Sequence, residues 1–296
     1  NLRMNNAMEL NVFGIVAGLA GGLAIFLFGL ELLSSGLKAV AGSKMKAILA
    51  KLTSNRFSGL FTGAFVTAII QSSSVTTVLV VGFISAGLMK LSQSIGVIMG
   101  ANIGSTVTAQ IIAFKITSTA MLMIAVGFVL LFFLKNNMVK QYGNMIMGLG
   151  LVFLGMNLMS DAMRPLRDFQ PFLDLMINME NPFWGMLVGA AFTALVQSSS
   201  ATTGIVIAMA IQGLLSLEGG IALILGANIG TCFTAFLACI GKPREAVRAA
   251  MAHALFNIGG VLIWLAFLDV LAGFVTTYGH GNDVARNIAN AHTVFN

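Results

Sequence analysis

The sequence predicts an all-α polytopic membrane protein made of two inverted repeats, each with a re-entrant helical hairpin and a broken transmembrane helix. The first observation behind this prediction is composition. Of the 296 residues, 57% are hydrophobic and only 9% are charged, whereas a soluble globular protein carries about 25% charged residues. Polar residues are too few to cover a water-exposed surface, so the lipid bilayer is the expected partner of that surface.

The second observation is an internal repeat with an offset of 126 residues. With this offset Gly63–Phe114 aligns without a gap on Gly189–Ile240, and 23 of 52 positions are identical. Shared apolar composition does not place identical polar blocks in the same register. Gln71–Ser74 nevertheless recurs as Gln197–Ser200, which indicates a duplication.

Two further blocks are repeated. Gly-Ala-Asn-Ile-Gly occurs at Gly100–Gly104 and again at Gly226–Gly230, and both copies are predicted to break their helices. The element Ala-His-x-x-Phe-Asn occurs at Ala252–Asn257 and again at Ala291–Asn296. Because the second copy lies near the end of the sequence, residues 276–296 are predicted to start a further, truncated element.

The third observation is the length of the apolar segments. A helical crossing takes about 20 residues, but two uncharged segments are much longer and carry a Gln-Ser-Ser-Ser cluster near the middle. The first repeat is predicted at 1–135, with a hairpin at 57–89, a broken helix at 91–114 and an extra span at 116–134. The second repeat is predicted at 142–275, with a hairpin at 181–217, a broken helix at 219–241 and an extra span at 249–275.

Each long segment allows two topologies. A hairpin arm of 14 residues reaches about 21 Å, which passes the middle of a 30 Å hydrocarbon core without crossing it. If the long segments are hairpins, each repeat crosses the membrane three times, and an odd number of crossings makes the two repeats inverted. If they are broken crossings, each repeat crosses four times and the two repeats are parallel. Eleven of the sixteen Lys and Arg residues, Lys38 among them, fall on one side in either topology. That side is predicted to be cytoplasmic, while the arm lengths favour the hairpin topology. The protein is predicted to be a multi-pass protein of the cell inner (plasma) membrane.

The chemistry of the Gln-Ser-Ser-Ser tips indicates a binding site. Irregular backbone at membrane depth is tolerated only where it is buried in protein or lines a cavity, and paired tips at the midplane are typical of secondary transporters. Hydroxyl and carbonyl oxygens suit sodium, while hydroxyls, amide NH2 groups and helix N-termini suit anions. No Lys or Arg lies in the tips. The charge of a bound anion would then be balanced by bound cations and helix dipoles, which is a physical basis for coupling anion transport to cation transport.

Other chemistry-bearing residues are few. Glu31 lies inside the first span, where a carboxylate is a candidate functional group. Cys232 and Cys239 are predicted to be packing residues rather than a metal site. His253 and His292 are predicted to bond neighbouring helices. Because the spans hold no cluster of acid, base and nucleophile, the sequence predicts a protein that is not an enzyme.

These blocks resemble the type II sodium–phosphate cotransporter family, in particular its bacterial members. The resemblance rests on both Gln-Ser-Ser-Ser tips, both Gly-Ala-Asn-Ile-Gly blocks and the element at Ala252, and it covers about Gly22 to Asn296. It implies sodium-coupled symport of inorganic phosphate, with both tips in the substrate region. Sodium is then the coupling ion and no cofactor is expected. The two halves differ where Cys232 occupies the position of Thr106.

The resemblance also implies roles for individual residues. Phosphate is expected to bind at Gln71, Ser72, Ser73, Ser74, Gln197, Ser198, Ser199 and Ser200. Sodium is expected at Thr76, Thr77, Asn102, Ser105, Thr106, Thr202, Thr203, Asn228, Thr231 and Thr234. Glu31 is a further possible site residue without an assigned ligand. Inorganic phosphate, sodium ions and the bilayer are the expected partners, a homodimer is left open, and nucleic acid is not expected.

Two alternatives stay open at the level of sequence. The same fold could export phosphate without sodium or carry another oxyanion such as arsenate or sulfate, because residue types do not distinguish tetrahedral oxyanions. A channel or a membrane sensor of phosphate is the third hypothesis. Competition assays would separate the oxyanions, and a channel would show sodium-independent, non-saturating flux.

Overall fold

The protein is described by a computed structural model that covers residues 11–41, 55–114, 119–178, 181–279, 281 and 283–296. Helices account for all of the regular secondary structure in these ranges. In chain order they are α1 (Val12–Ala41), α2 (Arg56–Ile70), α3 (Ser73–Ser85), α4 (Leu91–Ile112), α5 (Ala120–Phe132), α6 (Asn137–Met163), a 3-10 turn (Arg164–Asp168), α7 (Gln170–Asn178), α8 (Pro182–Val196), α9 (Ser199–Ile211), α10 (Leu217–Ala238), α11 (Arg244–Ala266), α12 (Leu268–Tyr278) and α13 (Val284–Phe295). The all-α class is therefore confirmed.

The predicted breaks at the two Gly-Ala-Asn-Ile-Gly blocks are wrong. Both α4 and α10 run through their block as one continuous helix of 22 residues. The glycines instead allow close helix packing, since a Cβ on Gly100 would collide with the Leu60 carbonyl of α2. A Cβ on Gly226 would collide with the Met186 carbonyl of α8 in the same way. Small residues at helix crossings are typical of membrane proteins, where van der Waals packing drives association.

Helices α1 and α6 occupy matching positions in the two repeats and pack antiparallel. Gly22 lies against Gly155, and a Cβ on Gly29 would lie 2.7 Å from the Gly148 carbonyl oxygen. Residue numbers therefore rise along α1 as they fall along α6. Under the 126-residue offset Gly22 corresponds to Gly148 and Gly29 corresponds to Gly155. The contact between Gly22 and Gly155 and the contact between Gly29 and Gly148 are therefore equivalent.

The buried core links elements from both repeats. Phe26 of α1 is fully buried, and a Cβ on Gly204 of α9 would lie 2.9 Å from its ring. Large apolar side chains also cover the outside of the molecule, where Phe13 is 83% exposed and Leu195 is 82% exposed. Side chains of this kind in such number are expected where lipid, not water, covers the surface.

Within the described ranges, five helical segments are long and apolar enough to cross a membrane by length and composition. They are Val12–Ala41, Leu91–Ile112, Asn137–Asp168, Leu217–Ala238 and Arg244–Ala266. The predicted single span at 249–275 is wrong, because α11 ends at Ala266 and α12 starts at Leu268. Within the predicted span at 116–134, the described helix α5 has 13 residues, fewer than the roughly 20 that a crossing takes.

Some parts of the sequence-based assignment lie outside the described residues. They are the start of the first repeat at 1–10, the basic stretch at 42–54 and the start of the predicted span at 116–118.

The glycine crossings can be tested by adding a single methyl group. Gly100→Ala forces α2 and α4 apart, and overpacking of this kind destabilises a protein by about 1–3 kcal/mol. Gly82→Ala is the matched control, because a Cβ there meets nothing within 4 Å and alanine favours a helix. We expect thermal unfolding in detergent to occur at a lower temperature for Gly100→Ala only. An equal melting temperature for both variants would contradict the packing role.

Candidate substrate-binding site

The two Gln-Ser-Ser-Ser tips adopt the same local structure. Gln71 ends α2 with φ 59° and Gln197 ends α8 with φ 55°, and these are the only non-glycine residues with positive φ in the described chain. In each tip the next residue is an N-cap, with Val75 N donating to Ser72 Oγ at 3.3 Å and Ala201 N donating to Ser198 Oγ at 3.2 Å.

The following helices start directly after these caps, at Ser73 and Ser199. The serines after each cap therefore lie in the first turn of a helix, where backbone N–H groups have no intrahelical partner.

Both tips line one cavity of about 260 Å³. All eight residues predicted to bind phosphate line it, as do Glu31 and Ser105. The remaining lining residues are Leu27, Leu30, Ser34, Lys38, Ile70 and Val75. The cavity wall thus combines hydroxyls, amides and two helix N-termini from both repeats.

One wall of the cavity is a stripe of α1 that sequence reasoning only partly identified. Glu31, Ser34 and Lys38 all line the cavity, because a spacing of three to four residues keeps side chains on one face of a helix. Ser34 Oγ donates to the Ile70 carbonyl at 2.8 Å and attaches this wall to the end of α2. Glu31 accepts a hydrogen bond from Ser35 Oγ at 3.2 Å. Lys38 was expected only as a topological charge, although its helical spacing from Glu31 could have indicated the shared face.

The two glutamines differ in their surroundings. Gln71 is buried, accepts a hydrogen bond from Thr108 Oγ1 at 2.9 Å and donates to the Ala68 carbonyl. Gln197 is exposed. Thr234 corresponds to Thr108 in the second repeat, and its buried hydroxyl has no hydrogen-bond partner within the described residues. The tips are equal in sequence but unequal in hydrogen bonding.

The threonines behind each tip are buried and brace the turn. Thr67 Oγ1 donates to Thr76 Oγ1 at 2.8 Å, and the hydroxyls of Thr193 and Thr202 lie 2.6 Å apart at the corresponding place. Thr77 Oγ1 donates to the Ser73 carbonyl at 2.9 Å. Their oxygens therefore stiffen the tips from behind.

The Asn residues of the two glycine blocks meet in a buried polar network. Asn102 Nδ2 donates to Asn257 Oδ1 at 2.5 Å, and Asn228 Nδ2 donates to Asn296 Oδ1 at 3.0 Å. Asn257 Nδ2 also donates to the Asn228 carbonyl at 2.9 Å, so Asn257 links the glycine-block asparagine of the first repeat to that of the second. The two Ala-His-x-x-Phe-Asn elements thus each hold one glycine-block asparagine.

The histidines of these elements take part in the same network. His253 Nε2 lies 3.0 Å from Asn257 Nδ2, one turn along its own helix. His292 Nε2 lies 3.3 Å from Asn228 Oδ1 on a neighbouring helix. The expectation of bonds between helices is met directly by His292, while His253 acts through Asn257. Cys232 and Cys239 are both buried and free, and the described part of the chain contains no cluster of three or more His, Cys, Asp or Glu side chains that could hold a metal ion.

Not all predicted sodium residues reach the cavity. Among them only Ser105 lines it, and this hydroxyl donates to the Asn102 carbonyl at 2.6 Å. The others lie behind the tips or in the two glycine-block helices: Thr76, Thr77, Asn102, Thr106, Thr202, Thr203, Asn228, Thr231 and Thr234. Thr106 and Thr231 donate to backbone carbonyls of their own helices at 2.8 and 2.7 Å. The structure therefore brings the predicted phosphate residues together and leaves most predicted sodium residues in a deeper layer.

Apolar helices that surround a polar cavity, lined by two related breaks in helical segments, define a membrane transport protein. The comparison with known families identifies which one. The model of the Na+/Pi-cotransporter family matches residues 25–161 and 168–294, so the chain belongs to that family of phosphate transport proteins.

Several relatives resemble the chain. It is 34% identical over 276 residues to the uncharacterized protein YqeW of Bacillus subtilis, with 93% of this chain and 89% of the relative covered. It is 27% identical to YjbB of Escherichia coli, provisionally named an inorganic phosphate export protein, over 86% of this chain and 47% of the relative. It is 25% identical to the sodium-dependent phosphate transport protein 2A of Oryctolagus cuniculus, over 82% of this chain and 59% of the relative. The chain thus spans about half of these last two relatives, and no solved structure matches it.

The buried network can be tested at Asn257. Asn257→Ala leaves the Asn102 amide and the Asn228 carbonyl without this partner, which costs about 1–3 kcal/mol for each buried group left unpaired. Asn144→Ala is the matched control, because among the described residues the Asn144 side chain donates only to Gln141, on its own helix and in a half-buried position. We expect a clearly lower melting temperature in detergent for Asn257→Ala than for the control. Similar melting temperatures would show that the network does not hold the repeats together.

Proposed function

We propose that the protein is a sodium-coupled secondary active symporter of inorganic phosphate. The observation that carries the proposal is the meeting of both Gln-Ser-Ser-Ser tips at one cavity. A site built from two repeats can be exposed to either side of the membrane by movement of one repeat against the other. The family match to phosphate transport proteins supports the substrate.

The phosphate site is proposed at the tips. Serine hydroxyls and glutamine amides can donate to phosphate oxygens, and the N-termini of α3 and α9 add backbone N–H groups and a favourable dipole. Most of these groups are neutral, so they bind an anion without fixing many charges at membrane depth. Such a site gains from a cation that enters with the anion.

Sodium is proposed to bind beside the tips through hydroxyl and carbonyl oxygens. Oxygen ligands suit a hard monovalent cation, and the threonines behind the tips supply them close to the cavity. Thr106 and Cys232 occupy corresponding positions, and sulfur is a poor ligand for such an ion. We therefore propose that the sodium sites of the two halves are unequal.

The repeats are proposed to be inverted, with both long segments as re-entrant hairpins in the inner membrane. The antiparallel packing of α1 and α6 supports this, because both are long enough to cross a bilayer. Corresponding helices that cross in opposite directions require repeats of opposite orientation.

Sodium-independent export of phosphate is the second candidate. The relative YjbB, provisionally named an inorganic phosphate export protein, favours it. Symport predicts phosphate uptake that depends on an inward sodium gradient, whereas sodium-independent export predicts phosphate flux that does not respond to that gradient, so one assay distinguishes them.

Uptake into proteoliposomes tests the symporter. We expect saturable uptake of radiolabelled phosphate with an inward sodium gradient and not with an equal potassium gradient. Gln71→Ala and Gln197→Ala should reduce sodium-driven uptake at least tenfold, since losing charge-assisted hydrogen bonds of about 1.5–3 kcal/mol has that effect. Gln170→Ala, on exposed α7, is the control. Normal uptake by both tip variants would contradict the site, and equal uptake in both gradients would contradict sodium coupling.

Cysteine accessibility tests the topology. In a Cys232→Ala, Cys239→Ala background, single cysteines replace Phe57 and Lys90 at the two ends of the first hairpin. A membrane-impermeant thiol reagent should label both from the same side of oriented vesicles, because re-entrant arms return to their starting face. Cysteines at Phe183 and Glu218 should be labelled from the opposite side. Labelling of Phe57→Cys and Lys90→Cys from opposite sides would instead establish a broken crossing.

A further inference from the structure

The cavity contains a fixed positive charge that the tip motifs do not supply. Lys38 is the only cationic side chain that lines it within the described part of the chain, and Glu31 is the only anionic one. The other lining residues are neutral. Seven residues on one helix separate Lys38 and Glu31 by about 10 Å along the axis. The cavity therefore has a cationic end and an anionic end along the α1 wall.

The second repeat also has a cationic residue at the position that corresponds to Lys38. Under the 126-residue offset Lys38 corresponds to Arg164, and Ser34 corresponds to Ser160. Glu31, however, corresponds to the neutral Asn157. Both repeats thus keep a cation one turn beyond a serine, while only one keeps the carboxylate. Arg164 is exposed and does not line the cavity, so of these two cations only Lys38 brings its charge to the tips.

We propose that Lys38 is a phosphate-recognition residue: it attracts the oxyanion into the cavity and binds it on the way to the tips. This inference rests on the symporter proposal and adds a residue to its substrate path. An anion that approached the tips with only Glu31 nearby would be repelled, and Lys38 compensates for that repulsion. The flexible ammonium group of a lysine has three donors and binds an oxyanion as a point charge without requiring one geometry. It therefore suits a tetrahedral oxyanion that passes through the cavity.

The test is phosphate transport by Lys38→Gln in proteoliposomes of neutral lipid. We expect the phosphate KM to rise about fivefold, as for a partly screened charge pair, while the maximal rate changes little. Lys38→Arg should restore the KM. Lys135→Gln is the control, since Lys135 is exposed and does not line the cavity. Choline chloride should raise the KM of the wild type more than that of Lys38→Gln, because salt screens an exposed charge.

The outcomes separate this inference from the symporter proposal. An unchanged KM for Lys38→Gln, or an equal change for Lys135→Gln, would overturn the role of Lys38 while the symporter stands. If the wild type takes up no phosphate, the symporter proposal fails and binding of inorganic phosphate decides the matter. Phosphate should then still raise the melting temperature of the wild type in detergent, and Lys38→Gln should need about fivefold more phosphate for the same rise. An equal rise in both proteins, or none in either, would overturn the inference.

Discussion

The site depends on backbone-to-backbone contact at glycines. Helices α4 and α10 approach α2 and α8 so closely at Gly100 and Gly226 that a single methyl group would not fit. Because α2 ends at Gln71 and α8 ends at Gln197, these contacts hold both tips where they can meet. In lipid the hydrophobic effect does not drive helices together, so close packing has to supply much of the association. The polar cavity is therefore a consequence of an apolar, glycine-lined framework.

Much of the site could be predicted from the sequence, and the reason is physical. A polar cluster inside a long apolar segment has to find partners in protein or line a cavity, and duplication of Gln71–Ser74 supplied a second cluster to meet the first. The glycine blocks were harder to interpret, because glycine both terminates helices and allows close packing. Which use applies at Gly100 depends on Leu60, a neighbour in space that no local pattern identifies. The division of the last apolar segment at Phe267 likewise has no strong breaker residue in the sequence.

The α1 wall shows a different limit of sequence reasoning. Lys38 was grouped with the basic residues that orient the chain, because charge counts treat every lysine near a span in the same way. The structure brings it to the cavity together with Glu31 and Ser34. Helical spacing alone shows that these three share a face, but not that the face turns toward the tips. The hydrogen bond from Ser34 to the Ile70 carbonyl fixes that orientation.

The unequal hydrogen bonding of the two glutamines bears on how such a protein could move. Gln71 is held by Thr108, whereas Gln197 is exposed and the corresponding Thr234 hydroxyl lacks a partner in the described chain. An arrangement with the second glutamine held and the first released would use the same kinds of bonds. Because both arrangements would make the same kinds of bonds at this place, these bonds would favour neither, and small differential contacts with ligands would shift the balance. In the proposed transport cycle, differences between the halves, such as Cys232 in place of Thr106, would then set which arrangement the ions favour.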